Sequence, residues 1–147
     1  MKIENELKTK FSSEQHKALI NIIFTSNWLS NKIYGELKKY NLTNEQYNVL
    51  RILRGSSPGS ICLKEISCRM INRYSNTTRI VEKLYNKGYL VKENSDEDRR
   101  ELSIRITESG LKLLSEIDNK SKIGNNMVNL SDEDSKRLND LLNSIRD

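Results

Sequence analysis

The residues with most to offer chemically lie between Ser75 and Gly88, in the run Ser-Asn-Thr-Thr-Arg-Ile-Val-Glu-Lys-Leu-Tyr-Asn-Lys-Gly. Asn76, Arg79, Lys83 and Asn86 recur at intervals of three, four and three residues. At about 3.6 residues per turn they form one stripe of a helix. Ile80, Val81 and Leu84 fall on another side and require a core to face. Arginine and asparagine carry the paired groups that read base edges in a major groove, and lysine suits a phosphate oxygen. On the leading turn, Ser75, Asn76, Thr78 and Arg79 are the candidates for groove contact, with Arg79 suited to guanine and Asn76 to adenine. Lys83 and Lys87 are candidates for phosphate or plain solvent contact. An ordinary surface helix with a solvated basic face fits the same pattern, so the surroundings must decide.

Charge distribution favours the first reading. The chain of 147 residues carries a net charge of +5. Between Lys64 and Lys92 stand seven basic residues (Lys64, Arg69, Arg73, Arg79, Lys83, Lys87, Lys92) against two acidic ones (Glu65, Glu82), a surplus equal to that of the whole chain. A basic block confined to one segment is the footprint of a polyanion partner. It lacks the aromatic-rich amphipathic face by which helices lie on membranes, so a membrane partner is not expected.

Other chemistries find little support. No nucleophile–base pair, Gly-rich phosphate loop or metal-ligand spacing is visible, and His16 is the only histidine. Neither an enzyme, a metal nor a cofactor is expected. Cys62 and Cys68 cannot make a disulfide framework. Cys62 stands where a helix wants an N-cap hydroxyl, as a redox-active thiol or, by preference, a poor cap, while Cys68 is expected to be packed. With no signal-peptide pattern and no apolar run of about eighteen residues, the expected location is the cytoplasm.

The flanking elements position the basic helix. Ser13 caps a long helix to about Tyr40 whose apolar residues, from Leu19 to Leu37, cover more than one face. Thr43 and Gln46 make a capping box for a helix to about Arg54, expected to bury Tyr47, Leu50, Ile52 and Leu53. A small helix through Met70 follows a short extended segment at Ile61 to Leu63, and Asn72-Arg73-Tyr74 turns the chain into the basic helix. Gly88 closes that helix. Tyr89 to Lys92 and Leu102 to Ile106 read as two strands around a polar turn. Arg99 and Arg100 on that turn can enter a minor groove, with Asp98 as the anchor that orients one guanidinium. Two further helices carry the stripes Leu111, Leu113, Leu114, Ile117 and Leu138, Leu141, Leu142, Ile145, which have little to cover them except a second copy.

The expected fold is therefore mainly α: a winged helix-turn-helix, helices plus a two-stranded β-wing, with N- and C-terminal dimerisation helices. Its parts are residues 1–40, an N-terminal dimerisation helix; 41–106, the DNA-binding lobe; and 107–147, the C-terminal dimerisation helices. A winged-helix protein-interaction module without DNA binding is the alternative.

From Leu42 to about Leu114 the chain resembles the MarR family of bacterial transcription regulators. The resemblance rests on Leu42-Thr43 with Gln46 and Leu50, on Thr78 to Leu84, on Lys87 to Val91, and most specifically on Asp96 to Arg100 followed by Ile106-Thr107-Glu108-Ser109-Gly110. It implies a homodimer whose terminal helices interlock, bound to double-stranded DNA at a pseudo-palindromic operator (an inverted repeat). It further implies a repressor released by a small-molecule effector or by oxidation. Effectors of such proteins lie between the dimer helices and the DNA lobe, which makes Trp28, Tyr40 and Tyr47 the candidate walls. Two positions depart from the pattern. Thr77 stands where an aliphatic residue is usual, and Cys62 replaces the common Ser or Thr cap. The family's peroxide sensors carry their thiol near the N-terminal helix, and no cysteine precedes Cys62, so that mechanism does not transfer.

Overall fold

Side-chain caps set where the helices begin. The computed structural model describes residues 2–94, 102–124 and 127–147. Ser13 accepts the His16 N–H and opens α2 (Glu14–Leu37), which runs on as a 3-10 turn over Lys38–Tyr40. At the head of α3 (Asn44–Ser56) the expected capping box forms: Thr43 Oγ1 accepts the Gln46 N–H and Gln46 Oε1 accepts the Thr43 N–H, both at 3.2 Å. Thr107 and Ser131 likewise cap α6 (Glu108–Lys120) and α7 (Asp132–Ser144). A short α1 (Ile3–Leu7), which no sequence signal announces, precedes α2. Its Ile3 is buried, and its Glu4 pairs with Lys17 of α2, whose hydrogen bond holds the Glu4 carboxyl below its ordinary range.

Between α3 and α6 come β1 (Ile61–Cys62), α4 (Leu63–Arg69), α5 (Thr77–Asn86), β2 (Leu90–Asn94) and β3 (Leu102–Ile106). The expected hairpin of β2 and β3 forms, pairing Leu90 with Ile106 and Lys92 with Ile104. The short extended segment turns out to be a third strand, so the sheet order is β1-β3-β2 rather than a two-stranded ribbon. β1 joins because Ile61 pairs with Ile104 at the centre of β3, where both side chains are covered. Leu102, at the open end of the hairpin, stays exposed.

The core is assembled from one face of each element: Leu50 and Leu53 of α3, Ile66 of α4, Leu84 of α5, Leu90 and Ile104 of the sheet, and Leu114 and Ile117 of α6. On α3 the buried set is Gln46, Val49, Leu50 and Leu53; Tyr47 and Ile52, expected inside, are only half-buried. Cys68 is exposed rather than packed, since α4 turns Ile66 and Met70 inward instead. Cys62 does occupy the N-cap of α4, with no side-chain capping bond.

The outer helices are left with little cover. Leu37 is the only buried residue of α2, and α7 has none. Leu19, Ile23 and Trp28 on α2 and Leu138, Leu141 and Ile145 on α7 are exposed apolar side chains.

Candidate nucleic-acid interface

α5 is strongly amphipathic and its inner face is Thr77, Val81 and Leu84, all buried, at i, i+4 and i+7. They pack against α3 and α4. Ile80, expected inside, is half-buried. The helix ends in a Schellman motif: the Tyr89 N–H donates to Leu84 O (3.1 Å) and the Gly88 N–H to Tyr85 O (2.9 Å). Gly88 makes this possible because its φ of +75° is a conformation that side chains with a Cβ avoid.

Thr77 is thus an inward residue. It is 6% exposed and cannot reach a groove without unwinding the helix. Thr77→Val exchanges a buried hydroxyl for a methyl of nearly the same shape, so it is expected to change unfolding free energy by about 1 kcal/mol, the scale of one hydroxyl's net hydrogen bonding, and to leave DNA affinity unaltered. A denaturant melt and a binding titration of the same variant check both halves.

The outer face carries Asn76, Thr78, Arg79, Lys83 and Asn86, all exposed. Asn76 is the N-cap, its side-chain oxygen accepting the Arg79 N–H at 3.1 Å. This engages one of the two lone pairs of the acceptor that adenine recognition would use. Ser75 is half-buried, and its Oγ is enclosed without a hydrogen-bond partner among the described residues. Ser75, Asn76, Arg79, Ile80 and Lys83 line an open crevice of about 390 Å³ against Thr43, Glu45 and Gln46 at the head of α3. Asp98, Arg99 and Arg100 of the wing turn lie outside the described residues.

Electrostatics sorts the seven cations of the basic block. Arg69 pairs with Glu65 on α4. Lys92 pairs with Glu82 at 2.6 Å and sits 4.3 Å over the Tyr85 ring, clamping β2 to α5. Lys87 donates to the Asn41 carbonyl and to Gln46 Oε1 (3.3 Å), tying the end of α5 to the head of α3 rather than facing a ligand. Lys64, Arg73, Arg79 and Lys83 make no ion pair among the described residues and are exposed. The net surplus of the block is thereby concentrated on the helix-turn-helix itself. These ties join residues far apart in sequence, and the only local signal among them is the i, i+4 spacing of Glu65 and Arg69.

A second concavity adjoins the first at Glu45. It is a largely apolar cleft of about 1220 Å³ between α2, α3, the α4–α5 turn and α7, lined among others by Ile22, Leu29, Ile33, Tyr47, Ile71 and Leu141. Of the three aromatic wall candidates, Tyr47 lines it. Trp28 does not: it lies on the exposed side of α2, with the Lys32 ammonium 4.0 Å over its ring. Tyr40 does not either, being packed half-buried against the core where α2 ends. The period of a helix places aromatics on faces but does not say which face a neighbouring helix will cover. Among the described residues no group of His, Cys, Asp or Glu is gathered to hold a metal ion.

Comparison with known proteins follows the same lines. The sequence model described as transcriptional regulator SarA/Rot matches residues 32–117. The transcriptional regulator MgrA of Staphylococcus aureus is 27% identical over 141 residues, covering 90% of this chain and 92% of that protein. In structure the chain is similar to the MarR-family regulator Sco3205 of Streptomyces coelicolor in complex with DNA, with a TM-score of 0.79 at 18% identity, over 94% of this chain and 89% of that one. It is also similar to the S. aureus MepR–DNA complex, with a TM-score of 0.74 at 21% identity, over 92% and 97%. The two structures share the winged-helix fold with this chain.

Proposed function

The chain belongs to the SarA/Rot family of transcriptional regulators, and from that membership we propose that it binds double-stranded DNA as a homodimer at an inverted-repeat operator. It is a regulator of the MarR/SarA type and not an enzyme. The observation that carries the DNA-binding reading is the outer face of α5, where Thr78, Arg79 and Lys83 stand exposed while neighbouring cations are neutralised by Glu65 and Glu82. That MepR and Sco3205 are known in complex with DNA supports it. The leading turn of α5 then meets base edges, Arg79 as the bidentate reader of guanine and Lys83 as a phosphate contact. Arg99 and Arg100, with Asp98 as anchor, remain the minor-groove candidates.

Dimerisation is supported by the uncovered apolar faces of α2 and α7, which a second copy would bury. A two-fold axis relating two α5 helices calls for half-sites about one helical turn, ~34–36 Å, apart. Bound over a promoter, such a dimer represses by occlusion. The cleft beside Tyr47 suits a small apolar effector, because Ile71 and Asn72 in its wall belong to the turn that leads into α5. An occupant pressing on that turn shifts the reading head and releases DNA. Binding DNA in a bacterial cell calls for a cytoplasmic location.

The test is a footprint of the purified protein on DNA upstream of its own gene, which is expected to reveal a protected inverted repeat. Arg79→Ala should cost about 1–3 kcal/mol of binding free energy and relax preference at one base pair. Salt-independent or absent binding to every duplex would instead favour a winged-helix module that binds proteins.

A further inference from the structure

Two large apolar side chains are far more exposed than any others among the described residues: Tyr74 at 101% and Ile71 at 90%. Both lie in the turn between α4 and α5. Their backbone is nonetheless well tied. The Ile71 N–H donates to Asn48 Oδ1 of α3 (2.9 Å), the Tyr74 N–H to Asn72 Oδ1 (3.1 Å) and the Ser75 N–H to the Asn72 carbonyl (3.2 Å). These bonds fix the backbone from which the exposed Tyr74 side chain leaves the turn. Burial gains nothing from the arrangement, since the ring touches no part of the core. Ile71 and Asn72 line the cleft, and Ser75 and Asn76 line the crevice that contains Arg79. Tyr74 lies between these two pairs in sequence and is fully exposed. Next to it Arg73 is exposed and makes no ion pair among the described residues.

We infer that Arg73 and Tyr74 form a backbone clamp on double-stranded DNA, Arg73 pairing with a phosphate while the Tyr74 ring packs on a deoxyribose and its hydroxyl donates to a phosphate oxygen. The inference rests on the DNA-binding reading above and extends it. In a helix-turn-helix the leading turn of the second helix enters the groove, so residues just before that turn meet the sugar-phosphate wall rather than base edges. A tyrosine suits the wall because it offers an apolar ring with a polar tip and few rotatable bonds to freeze. The surface is continuous with the exposed face of α5, and its positive charge from Arg73, Arg79 and Lys83 matches a phosphate rail. The clamp positions the helix and carries no sequence information itself.

The experiment is a salt-controlled titration of the full chain against two duplexes: one recovered by the wild-type protein from a random-sequence library, and a scrambled version of it. Tyr74→Ala should weaken both complexes by the same factor, about tenfold, with the salt slope unchanged because the group is neutral. Tyr74→Phe keeps the ring and should show a smaller loss on both. Arg73→Ala should weaken both and reduce the salt slope by about 1. Since both side chains are exposed, the unfolding midpoints should match the wild type, which separates a contact from a structural role. Wild-type affinity in Tyr74→Ala overturns the clamp while leaving the DNA-binding reading intact. Unchanged affinity with a shift in sedimentation assigns the turn to contact between copies and also overturns it. Failure of the wild-type protein to bind either duplex removes both.

Discussion

Replacing Gly110 by alanine is expected to lower the stability of the fold by about 3 kcal/mol, the upper part of the range for overpacking a tight site. Gly110 sits in the first turn of α6, buried where that helix lies across the start of β2. A Cβ built on it would stand 2.5 Å from the Tyr89 carbonyl oxygen and 2.7 Å from Ile106 Cγ1. The carbonyl cannot retreat cheaply, because it accepts the Thr107 N–H at 3.0 Å, and Thr107 in turn donates its hydroxyl to Gly88 O at 2.8 Å. Those two bonds bind the cap of α6 to the end of α5. The added methyl therefore pushes against the joint between the DNA lobe and the helices proposed to dimerise. For a chain of this length the unfolding midpoint should fall by about 6–12 °C. A change of under about 0.5 kcal/mol in a urea melt would mean that α6 can lift away freely, and the close approach would then not govern this joint.

The largest effect on binding is expected from Leu141→Glu combined with Ile145→Glu. Both residues are 64% exposed, and α7 has no fully buried residue. Charges there should leave the subunit folded, so the helical circular dichroism should persist. If a second copy covers this face, two carboxylates must be desolvated on each side and the dimer fails. The sedimenting mass at micromolar concentration should halve. Operator affinity should then drop by about a hundredfold or more, because two linked half-sites become two independent ones. A variant that keeps the wild-type mass would show that α7 is not part of the interface.

Local features of this fold are legible in the chain because they are fixed by neighbours in sequence. The Thr43–Gln46 box, the Ser13, Thr107 and Ser131 caps and the Gly88 stop each involve residues within about four positions, so spacing alone marks them. The apolar stripes of α3, α5 and α6 follow from helix period in the same way, and with the wing motif they identify the fold. The inward position of Thr77 follows from the same period, since it lies four and seven residues before Val81 and Leu84.

The stretch from Ser75 to Gly88 thus declared a helix with a DNA-suited face by sequence alone, together with its caps, its core side and its place before a hairpin. Tertiary structure alone decided that Lys87 and Lys92 are engaged within the chain. Lys92 meets Glu82 only because β2 folds back on α5, and Lys87 meets the Asn41 carbonyl across 46 residues of chain. It also decided that β1 joins β3, that Gly110 must lack a side chain, and that Tyr74 stands clear of the core. Each depends on groups brought together across long loops, whose meeting is determined by the whole packed core and not by any local pattern of residues.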